Sequence, residues 1–223
     1  MGTAHHRLNE IGERIDRAAR LMGRSARDVT LIAVSKMHDA EDVRPLLQAG
    51  HRHFGENRVQ EAEGKWPPLL AECPDTVLHM IGQLQSNKAE QAVAMFDVIH
   101  SVDRPSLVKA LGKAIVKLDR TPQFFVQVDI GEEPQKGGCA VDKLPDLLQK
   151  CADHGLDVVG LMCIPPADTE AAPYFALLRK LAEQQGLALL SMGMSADFET
   201  AVMVGPSHVR VGTALFGARD RPE

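Results

Sequence analysis

The sequence predicts an α/β protein: a single (β/α)8 barrel of the TIM type with an extra N-terminal helix, residues 1–223 forming one domain. Three observations carry the prediction. Short apolar, β-branched runs alternate with segments of helical period along the whole chain, the pattern of parallel strands joined by crossover helices. Eight such runs can be counted, the number that closes a barrel. Polar and glycine-containing motifs follow the runs, at the strand ends where such a barrel places its site. A doubly wound open sheet is the alternative, but no GxGxxG follows the first run.

The elements follow in order. Leu8, Ile11, Ile15, Ala18 and Met22 recur at helical spacing and Gly23 ends the run, giving an amphipathic helix ahead of the first strand. Residues 29–35, VTLIAVS, are apolar on both faces and read as a buried parallel strand that ends at Lys36. Val43, Leu46 and Leu47 mark a short helix before Gly50. Asp39 or Asp42 can cap it, and Pro45 favours the later start. A second strand ends at His53-Phe54-Gly55, and the polar helix from Val59 is expected to stop before Pro67-Pro68. Strands at 77–81 and 98–101 come next, with helices over 87–95 and from Asp103 or Pro105 to Leu118. The second half gives strands at 123–130, 156–162, 188–191 and 208–211, and helices at 141–154, 170–185 and 196–204. Only the last strand lacks a clear helix after it; GTALFG follows instead.

Composition narrows the function. The chain is 44% hydrophobic, enough for a sizeable core, with a net charge of -5 and no basic tail. Together with 4% aromatic residues this argues against nucleic acid as a partner. No apolar run is long enough to span a membrane, and MGTAHHRLNE lacks the apolar segment of a secretory signal. Cys73, Cys139, Cys151 and Cys163 are scattered without a CxxC pair, which fits reduced thiols in a cytoplasmic protein and no metal site.

Lys36 is the first candidate for chemistry. At the end of a buried strand its stem lies in the core and its amine at the barrel mouth. Partial burial favours a neutral amine able to attack an aldehyde, although a strand-end lysine can also simply reach for water. In FGENRVQE, Asn57 either caps the next helix or hydrogen-bonds a ligand. His79, in HMIGQLQSNK, reads more readily as a satisfied core histidine than as a ligand. In LSMGMS, Gly193 permits close backbone approach, and Ser195 stands at the start of a helix expected from Ala196. A hydroxyl and free N–H groups there suit an anion. VRVGT adds Gly212 and Thr213 at the next strand end, and the loops after the seventh and eighth strands often hold phosphate in such barrels. Lysine and phosphate site together suggest a phosphorylated aldehyde, pyridoxal phosphate.

The stretches AVSK, FGENRVQE, HMIGQLQSNK, SVD, QVDIGEEPQKGG, GLMCIPP, LSMGMSADFE and VRVGTALFGAR occur in this order. In them the chain, from Leu8 to Arg219, resembles the pyridoxal-phosphate homeostasis protein family (YggS/PROSC family). The resemblance implies a barrel like the N-terminal domain of alanine racemase. It also implies binding of pyridoxal 5'-phosphate without an established turnover reaction, in a role of cofactor supply and amino-acid balance. Carried over by motif, Lys36 would form the Schiff base, Asn57 would lie beside the ring, and Arg210 would face the pyridine nitrogen. Ser195, Gly212 and Thr213 would hold the phosphate. Lys136 matches a family lysine near the pocket and is a candidate for cofactor passage, or else a solvated loop lysine. Asp129, His79-Met80 and His38 depart from the family pattern; none of them touches the Schiff-base or phosphate positions.

Three functions remain at this level. A cofactor carrier would have pyridoxal-phosphate-dependent apo-enzymes as recipients, act as a monomer and carry no catalytic residue. A pyridoxal-phosphate-dependent amino-acid racemase needs a second base, which alanine racemase takes from a C-terminal domain. This chain stops at Glu223 and has one tyrosine, Tyr174, in a helix, which favours the carrier. A phosphosugar enzyme using Lys36 for aldol chemistry would also explain lysine plus phosphate site.

Overall fold

The computed structural model describes residues 3–217. Eight parallel strands close a barrel in sequence order, β1 (Thr30–Val34), β2 (His53–Glu56), β3 (Val77–Met80), β4 (Val98–Val102), β5 (Gln123–Gln127), β6 (Asp157–Met162), β7 (Leu189–Ser191) and β8 (His208–Val211). The intervening helices are α2 (Ala40–Gln48), α3 (Val59–Glu72), α4 (Ala89–Met95), α5 (Pro105–Leu118), α6 (Leu144–Asp153), α7 (Ala172–Gln184) and α8 (Phe198–Val204). The expected N-terminal helix is α1 (Thr3–Leu21). It lies across α8, where Arg14 makes a two-pronged pair with Glu199 at 3.1 and 2.7 Å and sits over the Phe198 ring.

The main core lies between sheet and helices, with Phe54, Trp66, Phe96, Phe124, Phe175 and Phe198 fully enclosed. Burial of such rings contributes roughly 1.5–3 kcal/mol each. A small second cluster, Val98, Phe125 and Met162, lies apart from it. At Gly160 an added Cβ would fall 2.1 Å from Leu189 O, so only glycine lets β6 and β7 approach this closely.

Several boundaries differ from the sequence expectation. α3 runs through Pro67 and Pro68 instead of ending before them. The carbonyls deprived of partners belong to Glu63 and Gly64, both exposed to water, while Trp66 and Leu69 anchor the helix below. α2 starts at Ala40, capped by Asp39, whose carboxylate accepts the Asp42 N–H, so Pro45 stands inside the helix rather than at its start. β5 ends at Gln127: Val128 instead bridges to Cys139 as the loop folds back. α8 starts at Phe198 rather than Ala196, because the Met194 N–H donates to Asp197 Oδ1 at 2.6 Å and residues 194–197 form a turn. A short helix, α9 (Thr213–Phe216), occupies the segment read as non-helical.

Candidate functional site

Strand ends β1, β2, β3, β6, β7 and β8 surround a cavity of about 390 Å³ lined by Lys36, Asn57, Ser195, Arg210, Gly212 and Thr213. All six site residues expected from the sequence therefore meet in one place. Its apolar walls are Val34, Ile81, Ile164 and Met194, completed by His38, Ala196 and Gly217. Apart from His38, which the sequence marks as a departure from the family pattern and which lines the same cavity as Lys36, those wall residues carry no chemical signature a sequence could reveal. A larger groove of about 700 Å³ runs between α1, α2 and α9, lined by residues such as Arg7, Asp42 and Phe216. No strand-end polar motif reaches it.

Backbone donors gather at one end of the cavity, a chemistry that suits an anion. The backbone N–H groups of Ser195, Ala196, Thr213 and Ala214 donate to no protein atom among the described residues. The Ser195 hydroxyl accepts the Gly212 N–H at 3.3 Å, which ties the two loops together. Gly193, with φ +92°, lets the β7 loop press on α8; a Cβ there would meet the Ala201 methyl at 2.6 Å. Asn57 does not cap α3, whose N-cap is Arg58 without a side-chain bond, so its amide is left to the cavity. Gly82 packs directly beneath it, since a Cβ there would lie 2.3 Å from Asn57 O.

Arg210 is buried in β8, and burial lowers its pKa from the ordinary value. It donates to Ser191 Oγ at 2.7 Å and to Cys163 O at 2.9 Å. Behind Ser191 runs a chain of imidazoles. His100 Nδ1 lies 2.9 Å from Ser191 Oγ, His79 Nδ1 2.9 Å from His100 Nε2, and His53 Nδ1 3.1 Å from His79 Nε2. Arginine only donates, so the serine proton is left for His100 Nδ1. Each histidine then donates from Nε2 to the next, and the chain has one direction. His79 is thus a satisfied core histidine, the blander of its two readings. Burial, first of all, keeps His79 and His100 neutral by pushing their pKa values well below the ordinary range.

Lys136 does not line the cavity. Its ammonium pairs with Glu133 at 2.6 Å and donates to Pro165 O at 2.9 Å, so it is neither free in water nor part of the cavity lining. Asp129 accepts the Glu133 N–H at 2.8 Å and supports that loop. Tyr174 lies on α7 and is absent from the lining. Among the described residues, no three His, Cys, Asp or Glu side chains are grouped to hold a metal ion. None of the described helices is long and apolar enough to cross a membrane. The last two residues of the motif VRVGTALFGAR, Ala218 and Arg219, lie outside the described residues.

The family model of the alanine racemase N-terminal domain matches residues 7–220, so the barrel belongs to that class. Alanine racemase of Clostridium difficile shares the fold, with TM-score 0.69 at 16% identity over 98% of this chain and 57% of that one. Within the class, the chain belongs to the pyridoxal phosphate homeostasis protein family. The protein of that name from Pseudomonas aeruginosa is 40% identical over 99% of this chain and 97% of its own length. The one from Aquifex aeolicus is 36% identical over 97% and 98%. PipY of Synechococcus elongatus, solved with PLP bound, covers 92% of this chain and 100% of its own at 40% identity and TM-score 0.76.

Proposed function

We propose that this protein binds pyridoxal 5'-phosphate in the strand-end cavity and serves cofactor homeostasis as a carrier or buffer. The observation that carries the reading is convergence: a strand-end lysine, a buried arginine and three residues whose backbone N–H groups have no partner among the described residues, Ser195, Ala196 and Thr213, line one cavity of about 390 Å³. That volume lies in the range of small-ligand pockets, roughly 300–1,000 Å³. The relative PipY, 40% identical, has been solved with the same cofactor bound.

The residues fit the group. Ser195, Gly212 and Thr213, with the neighbouring N–H groups, would hold the phosphate through charge-assisted hydrogen bonds. Lys36 would hold the cofactor covalently, its amine nitrogen replacing the aldehyde oxygen, which leaves as water. Asn57 would contact ring substituents and Arg210 the pyridine nitrogen. The bound cofactor supplies an electrophilic aldehyde and a ring able to withdraw electrons. Arg210 works against the second property, because a cation that only donates disfavours a proton on the nitrogen it faces. The ionisable side chains that line the cavity are Lys36, His38 and Arg210; His38 is engaged by Asp42 at 3.3 Å and Arg210 by Ser191 and Cys163 O. These features favour binding and release over removal of a proton from an amino acid. Cytoplasmic apo-enzymes that use the cofactor would be the recipients, and the protein would act as a monomer.

The test is spectroscopic. Pyridoxal 5'-phosphate added to the protein should give a visible chromophore, and the loaded protein incubated with L- or D-alanine in heavy water should keep its substrate α-proton signal by NMR. No chromophore would overturn the binding site. Loss of the α-proton at about 1 per second or faster, an ordinary enzymatic rate, would replace the carrier by a racemase.

A further inference from the structure

The turn that carries Lys36 is gripped from below by Lys65 and by two glutamates of the FGENRVQE stretch, Glu56 and Glu61, none of which was assigned a role from the sequence. After β1 the chain turns over residues 35–38, with the His38 N–H donating to Ser35 O at 3.1 Å. Met37 sits at φ +62°, a region non-glycine residues seldom occupy. Lys65 on α3 is buried, and its ammonium donates to Ser35 O at 2.7 Å and to His38 O at 2.8 Å. Those carbonyls stand on either side of Lys36 and Met37. Glu61, one turn earlier on α3, accepts the Met37 N–H and lies 3.2 Å from Lys65 Nζ. Underneath, Glu56 is fully enclosed: its Oε1 lies 2.7 Å from Lys65 Nζ and accepts from Ser35 Oγ at 2.6 Å and Trp66 Nε1 at 2.9 Å. On the opposite side the His38 ring stacks on Phe216 of α9, centroids 4.3 Å apart.

A buried ion pair is a poor device for stability, since desolvation offsets most of its attraction and apolar replacements are often as stable. What distinguishes this pair is where its remaining donors go. Two of the ammonium's hydrogen bonds are made to backbone on both sides of the lysine that lines the cavity. A strained backbone conformation persists only where its surroundings over-determine it, and here the surroundings are Lys65 and Glu61.

We propose that Lys65, anchored by Glu56 and Glu61, is a positioning residue for Lys36: it fixes the 35–38 turn so that the Lys36 amine is presented to the cavity at an angle suited to attack. The inference rests on the reading of Lys36 as the covalent anchor. It assigns α3 a part in the reactivity of the lysine and none in holding the phosphate.

The test uses the full chain and two ligands. Pyridoxal 5'-phosphate can join a lysine; pyridoxine 5'-phosphate, with an alcohol for the aldehyde, cannot. The double variant E56Q/K65M removes the enclosed pair's two charges together and leaves an amide oxygen for Ser35 and Trp66; the remaining carboxylate, Glu61, is partly exposed to water and keeps the Met37 N–H. Its affinity for pyridoxine 5'-phosphate should stay within about twofold of wild type, while the rate of chromophore formation with pyridoxal 5'-phosphate falls by about tenfold or more, the scale of loss from misplacing a reacting group. An unchanged rate, or equal losses for both ligands, would overturn the proposal. Should the double variant fail to fold, Glu61→Gln at the partly exposed rim must show the same split, and its absence is equally fatal. A wild-type protein without chromophore, or a Lys36→Ala variant that keeps one, would instead overturn the underlying reading of Lys36.

Discussion

Lowering the pH from 7 to 5 should remove a large share of the protein's stability, because the fold keeps a group of histidines neutral. Burial is the leading cause throughout. It pushes His79 and His100 well below their ordinary range and His51 and His208 down to about 4. A histidine with a depressed folded pKa is protonated first in the unfolded chain, near 6.5. Its contribution is therefore complete above that value and is lost as the pH falls toward the folded value. Between pH 7 and 5 the loss is about 2 kcal/mol for each histidine that stays neutral in the fold, and so several kcal/mol for the group. Total stabilities are roughly 5–15 kcal/mol, so the loss is a large share of the whole. Carboxylates do not blur this window. Arg44 holds Glu72 below its ordinary range, Arg52 does so for Asp75, and Arg14 for Glu199, so their contributions fade only at lower pH. Urea unfolding at pH 7, 6 and 5 can be followed by the fluorescence of Trp66, the single tryptophan and fully buried. With a slope of about 2–3 kcal/mol/M, the midpoint should fall by about 2 M or more. A loss below about 2 kcal/mol would refute the reasoning, since the imidazoles would then be taking up protons inside the folded barrel.

Two further outcomes follow from the cavity. Replacing Ser195 and Thr213 by alanine should weaken pyridoxal 5'-phosphate by about 1.5–3 kcal/mol per site and leave unphosphorylated pyridoxal nearly unaffected. Equal losses in parallel absorbance titrations would put the phosphate elsewhere. Gly82→Ala should cost about 1–3 kcal/mol by overpacking and displace Asn57, because the new methyl would lie 2.7 Å from Asn57 Cα. Unchanged melting temperature and cofactor affinity would contradict that close packing.

The barrel was legible because its signals are local. The run TLIAV reads as a strand buried on both faces, and β1 does sit between β2 and β8 with helices outside. The six cavity residues were legible for a similar reason, each being an unusual polar or glycine residue just beyond or near the end of an apolar run. What stayed hidden depends on partners far away in sequence. The path of α3 through Pro67-Pro68 depends on which carbonyls face water. Lys65 looks like any helix lysine until β1 is laid beside it and its ammonium meets Ser35 O. The chain from His53 to Arg210 draws one residue from each of five strands, and no spacing within a single element announces it. Ser195 was placed two residues too close to its helix, because the Asp197 carboxylate that holds the intervening turn gives no periodic signal.

The most direct test of the central claim is chemical trapping. The protein would be loaded with pyridoxal 5'-phosphate, reduced with borohydride, digested and mapped by mass spectrometry. The cavity geometry predicts the reduced adduct on the peptide containing Lys36, its loss in Lys36→Ala, and no other site of comparable yield. An adduct found chiefly on Lys136, held by Glu133 outside the cavity lining, or on Lys88, would contradict it.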